Sequence, residues 1–435
     1  MANMPLSHDY VPLFNPGNLN IFTAHLSSRK GVETCIVLSL KLLLFVLCSD
    51  KQQVPKLYDI NGHTALLSCL ENFSANPAII ALVTKCWNIC VAADKAAITA
   101  LDTHYIGLVV TSLVNHKDHK EMCVGCIKAL ANATFGSSDR IQSVSDADGI
   151  SAIETLMQVY RDDADMLSKV LILLANVAHG GNELRVQIAD RCGDELILIL
   201  FDHNDNYQLS MQAIRAVGIL AFCEHNIARL IQESATASII KTCRKHSTKH
   251  ELVTLSLDVL ANLSSDNNDN EYEVIMKEGA PSFVSELLPS VDSESYALSA
   301  VNAAANLACH PGSGEVMIEK NYVFAALNLL KEYEWNAEIV ETTIDSFNNL
   351  SHSNSPAVMG AIVDEGGVQA ILSACQIHFE KIELCEAGLT TLSMAIRMKR
   401  GIKHLMSVDG ASALMKLYEK QKDKTVITMI FKMLS

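Results

Sequence analysis

The chain has 435 residues, 49% of them hydrophobic and 19% charged. It can fill a core and leaves little room for disorder. Its 20 Gly and 9 Pro fall well below the roughly 12% combined share of average proteins, which excludes collagen-like sequence and long flexible linkers. The formal net charge is −15. Phosphate contacts need clustered cations, so no nucleic-acid partner and no membrane insertion are expected.

Residues 1–27 read as a non-repeat extension. Pro5, Pro12 and Pro16 argue against a long helix there. Tyr10, Val11, Leu13 and Phe14 are candidates to dock on the first repeat and cover its open end, with a partner-binding motif as the alternative. The opening MANMPLSHDYVPLFNPGN shows no cationic and apolar leader. Ala2 stands where myristoylation needs glycine, and the final KMLS carries no prenylation cysteine. The 13 cysteines are odd in number and irregular in spacing, which suits free thiols in a reducing compartment. A cytoplasmic location, cytoskeletal or ciliary as a variant, is the expectation. The apolar run Cys35–Cys48, interrupted by Lys41, is too short to span a bilayer and reads as a buried helix.

From there on the chain repeats itself. KALANATF (128–135), LLANVAHG (173–180), VLANLSSD (259–266), AAANLACH (303–310) and FNNLSHSN (347–354) overlay. The marked positions are Phe45, Asn88, Asn132, Asn176, Ile219, Asn262, Asn306, Asn349 and Ser393, every spacing 43 or 44. Seventeen residues after six of them stands a glycine: Gly62, Gly149, Gly193, Gly279, Gly366 and Gly410. A glycine there permits the left-handed backbone that ends a short helix. One unit reads NELRVQIADRC as first helix, Gly193 as turn, DELILILF as second helix, HNDN as loop and YQLSMQAIRAVGILAF as third helix. Three units depart from the glycine rule. One has Tyr105 in phase with Gly107 two residues late, one has Thr236, and one offers Asn321 for the turn. Strand signals are absent.

The third helices carry an apolar stripe at helical spacing. It runs through Val83, Ile127, Leu171, Ile214, Leu257, Val301, Ile344 and Gly388, and again through Ile89, Ala133, Val177, Leu220, Leu263, Leu307, Leu350 and Met394. The Asn column lies on another face and continues back through positions four and eight residues earlier.

The three-helix unit, its period, the turn glycine and the Asn near the end of the third helix resemble armadillo repeats over residues 28–435. The resemblance implies an all-α, right-handed armadillo superhelix. It would hold about nine three-helix repeats and a truncated last unit, whose VITMIFKMLS helix can act as a C-terminal cap. In armadillo proteins such as importin α and β-catenin the third helices line a concave groove, where the Asn column clamps the backbone of an extended partner. An Asn amide offers donors and an acceptor to a peptide group. Helices about 10 Å apart would meet a strand rising roughly 3.3 Å per residue at every third residue. The implied partner-binding residues are Asn88, Asn132, Asn176, Asn262, Asn306 and Asn349. Their neighbours Lys128, Lys169, Arg215, Asp258, Asn302, Glu341 and Asp345 would select side chains. The sign changes from basic Lys128, Lys169 and Arg215 to acidic Asp258, Glu341, Asp345 and Glu386, which implies a partner with separated acidic and basic ends. Two bland readings stand beside these. The columns can be solvated helix surface without a ligand, and each Asn can bond its own following loop.

Importin α places a Trp four residues before each Asn, and this chain has none there. A transport adaptor for basic cargo is therefore disfavoured. The favoured reading is a scaffold or adaptor that is not an enzyme, with a structural component of a cilium or other cytoskeletal assembly as the alternative. No cofactor and no metal are expected. Cys123-Val-Gly-Cys126 is a lone CxxC without a second ligand pair. Asp266–Glu271 lacks the glycine and glutamate positions of a calcium loop. The run Arg244, Lys245, His246, Lys249 and His250 is either a solvated basic loop or a contact for an acidic partner.

Overall fold

The computed structural model describes residues 23–24, 26, 33–94, 102–265, 269–352 and 355–434. Every regular element among them is helical, with no strand. The chain divides into two compact units, 1–199 and 200–435.

In the first unit the third helices are Glu33–Ser49, Pro77–Ala93, Lys120–Thr134 and Ala164–Ala178, each packed on the next. The second unit repeats the ladder with Tyr207–Ala221, His250–Leu263, Glu294–Ala308, Ala337–His352, Ile382–Ala395 and Lys424–Leu434. Short polar side chains start several of them. Asn76 accepts from the amides of Ala78 (3.1 Å) and Ile79 (3.3 Å), Asp163 from Met166 (3.1 Å) and Asn206 from Leu209 (3.1 Å). Each occupies an amide that the helix itself leaves unpaired.

The apolar stripe is the core. Val83, Ile127, Leu171, Ile214, Leu257, Val301 and Ile344 are all buried, each such burial contributing about 1.5–3 kcal/mol. At Gly388 an added Cβ would stand 2.7 Å from the Cys375 sulfur. In the second column Ala133, Val177, Leu220, Leu263, Leu307 and Leu350 are buried, whereas Ile89 and Met394 are only half-buried. Cys123 and Cys126 are fully buried, as apolar packing residues. Leu26, inside the expected extension, is also buried, and its carbonyl accepts from the Cys69 thiol at 3.3 Å. The docking residues Tyr10, Val11, Leu13 and Phe14 lie outside the described residues.

The turns correct the sequence reading. The left-handed residue is usually the one before the marked glycine: Asn61 (φ 58°), Asp148 (φ 63°) and Asp409 (φ 53°). The glycine then opens the second helix against the end of the first. A Cβ on Gly149 would come within 2.6 Å of the Val144 carbonyl. Only at Gly279 (φ 84°) and Gly366 (φ 89°) is the marked glycine itself left-handed. Where glycine is missing, Ser234 and Asn321 take the left-handed conformation, as the Asn321 reading expected. Gly193 makes no turn at all. The first and second helices run together as Asn182–Asp202, 21 residues. Neither Cys192 nor Gly193 takes the left-handed backbone.

The helix Glu33–Ser49 buries Ile36, Leu40, Leu43 and Leu47. No single helix among the described residues is long and apolar enough to cross a membrane. The last third helix buries Val426 and Ile430 but leaves Phe431 exposed.

Candidate functional site: the third-helix ladders

The Asn column begins as a structural device. In the first unit the Asn88 amide donates to the Gly125 carbonyl (3.1 Å), and Asn132 donates to the Asn88 side-chain oxygen (3.1 Å). Asn176 donates to the Ala131 carbonyl (2.9 Å). In the second, Asn306 donates to the Ala261 carbonyl (2.8 Å) and Asn349 to the Ala305 carbonyl (3.0 Å). The amides therefore tie one third helix to its neighbour, not to their own following loops. The Ala131 and Ala261 carbonyls already accept from the Phe135 and Ser264 amides, so the Asn amide adds a further bond between helices rather than rescuing an unpaired group. An Asn amide has two donors and an acceptor. The carbonyl oxygens of Asn132, Asn306 and Asn349 receive no protein hydrogen bond among the described residues. One donor and the acceptor of each of these amides thus stay open. Asn262 holds the same half-buried register position, and its side chain makes no inter-repeat bond among the described residues.

In the first unit, Asn88, Asn132, Lys128 and Lys169 come together with Ile127, Ala131 and Ile172 around a cavity of about 400 Å³. Lys128 is exposed. Lys169 is partly neutralised by an ion pair to Asp165 one turn earlier, and also donates to the Asp165 carbonyl (2.9 Å). The free cation of this site is Lys128, beside the 39% exposed Ile172. The same column closes at Thr84, which is fully buried. A Cβ on Gly125 would meet the Thr84 hydroxyl at 2.3 Å, so this glycine lets the next helix cover the position.

In the second unit a cavity of about 380 Å³ is lined by Met211, Arg215, His250, Thr254, Leu255 and Asp258, among others. This corrects the expected grouping. Arg215 does not extend a basic half; it shares a pocket with the first acidic residue. Crowding between helices raises the Asp258 pKa through desolvation, which a hydrogen bond with Ser299 opposes. Asp345 is raised by desolvation and then by the like charge of Glu341. Glu341 in turn reaches Lys381 at 3.7 Å. Asn302 is half-buried in the same column. Asp345, half-buried beside Glu341, favours a ligand that brings a cation, whereas exposed Asp258 already has Arg215 in its pocket.

The basic loop is committed internally. Arg244 bonds Glu286 (3.3 Å), Lys245 bonds the Asn204 side chain (2.9 Å), and His250 reaches Asp292 (2.7 Å). His246 contacts the Asn204 carbonyl at 2.9 Å, and the Lys249 ammonium lies 5.8 Å from the Tyr207 ring centre. These groups brace adjacent repeats, which is the solvated-loop reading with its charges largely answered. The pocket residues Met211, Thr254 and Leu255 were missed in the sequence: Met211 is buried and reads as core, and half-buried Leu255 looks like the edge of the core stripe.

These stacked helix triplets define an armadillo-repeat solenoid. The family model for the GAC ARM domain matches residues 91–431, more than half of the chain, and the chain belongs to that family. Among solved structures, an engineered protein is similar with TM-score 0.79 and 21% identity, covering 97% of this chain and 98% of that one. A structure from work on a phosphorylation switch in the interaction between cadherin and β-catenin aligns with TM-score 0.79 and 14% identity, covering 96% of this chain and 86% of that one. At these identities the likeness is one of fold. No curated protein matches the sequence. Armadillo-repeat proteins are generally non-enzymatic scaffolds that bind proteins or peptides.

Proposed function

We propose that this protein is a non-enzymatic scaffold whose third-helix ladders each hold an extended partner segment. The observation that carries this is the first-unit cavity, where Asn88, Asn132 and Lys128 meet around exposed aliphatic surface. Part of the Asn amides holds the repeats, and the open part is available to a peptide backbone. Lys128 beside Ile172 suits an acidic residue next to an apolar one. The second-unit ladder, with Asp258 and Asp345 desolvated, suits Lys or Arg. A cytoplasmic location belongs to the same proposal.

The test uses the full chain and two labelled synthetic peptides, one rich in Asp, Glu and Leu, the other in Lys and Arg, read by fluorescence anisotropy and photo-crosslinking. Asp258→Lys with Asp345→Lys is expected to weaken the basic peptide by about 50-fold and leave the acidic one unchanged, with cross-links on the third helices. Equal binding by wild type and variant, or cross-links on second helices, refutes the reading.

A further inference from the structure

The last unit is unlike the rest of the chain in charge. Residues 396–435 hold nine Lys and Arg against three Asp and Glu, a net of +6, so within the total of −15 the first 395 residues carry −21. The unit consists of helices Lys399–Ser407, Gly410–Lys420 and Lys424–Leu434. Among its cations, Arg400 bonds Asp364 at 2.7 Å, and the Lys420 ammonium lies 5.2 Å from the Phe379 ring centre. Arg397, Lys399, Lys403, Lys416, Lys422 and Lys424 are exposed, with no acidic partner among the described residues. Of the three acids, Asp423 is occupied in starting the last helix, accepting from the amides of Thr425 (2.8 Å) and Val426 (3.1 Å).

The same unit exposes large apolar side chains. Met406 is 76% exposed, Phe431 54% and Ile402 46%. Lys399, Ile402, Lys403 and Met406 follow the spacing that puts residues on one helix face. An earlier first helix, Pro356–Asp364, is covered at this level by its successor: a Cβ on Gly360 would stand against the Arg400 guanidinium. Among the described residues nothing covers the outer face of Lys399–Ser407. The first helix is also not part of the third-helix ladder, so this surface is separate from the groove.

We propose that this face docks an acidic amphipathic segment of a partner protein, a helix that sets Asp or Glu beside Leu- or Phe-type side chains. Charge and shape of the face select that occupant. Phosphates would answer the lysines and leave Ile402 and Met406 in water. A bilayer with anionic lipids is broad and would also confront the −21 of the remaining chain. A short acidic helix satisfies both halves of the surface, and unbranched Met side chains adapt to it.

The experiment uses the full chain and a labelled synthetic Glu/Leu amphipathic helix, read by anisotropy at low and at physiological salt. Lys399→Glu with Lys403→Glu is expected to weaken binding at least tenfold and to flatten its salt dependence. Ile402→Ser with Met406→Ser, both exposed, is expected to weaken it severalfold with the salt dependence kept and the helicity unchanged. The Lys128→Glu variant should bind as wild type, which separates this surface from the first-unit groove site, where Lys128 and Ile172 also suit acidic and apolar side chains. No wild-type binding at about 100 μM peptide, or equal binding by the Lys399/Lys403 variant, overturns the proposal. So does co-sedimentation with phosphatidylcholine/phosphatidylserine vesicles, or self-association in ultracentrifugation, that the same variant abolishes while peptide binding stays.

Discussion

The two units use the same ladder for opposite electrostatics. In the first, the open charge is a lysine, because Lys169 already has Asp165 one turn away and Lys128 has no such neighbour. In the second, exposed Arg215 shares its pocket with Asp258, and further along the ladder the open charge is Asp345, which desolvation and the like charge of Glu341 raise. The Asn column is common to both and holds helix to helix in each. Repeat architecture therefore fixes the scaffold through one set of positions and leaves the neighbouring set free to vary in sign.

The largest effect concerns the turns. Gly149 in the first unit is needed for space and Gly279 in the second for its left-handed backbone, with nothing within 4 Å of an added Cβ. Gly149→Ala is expected to cost about 2–3 kcal/mol by overpacking, against about 1 kcal/mol for Gly279→Ala, measured by urea unfolding. Equal costs would show that both turns have the same physical basis. Next comes the basic site. Lys128→Glu should weaken the acidic peptide about tenfold and Lys169→Ala far less, since the Lys169 charge is already answered. Smaller still, Asn306→Ala should cost about 0.5–1 kcal/mol through loss of the inter-helix bond, since the Ala261 carbonyl keeps its bonds from Ser264. Asn262→Ala should be close to neutral, and that difference would confirm the bonded and open roles of one column.

The smallest effect is a pH dependence. Asp345 has a folded pKa raised above its unfolded value. Its contribution to stability is present below the unfolded pKa and lost as pH rises through the folded one. Asp345→Asn should therefore raise the melting temperature slightly at neutral pH, and the gain should vanish in acid. Binding of the Lys/Arg peptide should begin to weaken, as pH falls, above the ordinary aspartate range. A wild-type binding curve flat down to pH 4 would refute the desolvation argument.

Much of this was legible in the residues. A period of 43 or 44, an apolar stripe at helical spacing and the recurrent Asn identified the third helices and their buried face, because helical geometry maps spacing directly onto face. Composition also sets the sign of each column and the basic character of residues 396–435. What only the tertiary structure decided is what each group meets. The residue before a glycine, not the glycine, carries the positive φ at Asn61 and Asp148, because the following helix must start against the preceding one. Gly193 vanishes into a continuous helix. Arg215 falls into the pocket of Asp258, the cations of the 244–250 loop turn to acids and carbonyls some 42 residues away in sequence, and Lys128 stays open while Lys169 does not. Periodicity is a local property of the chain, written in its order. Pairing, desolvation and close approach depend on residues a full repeat away, and those distances exist only after the repeats have stacked.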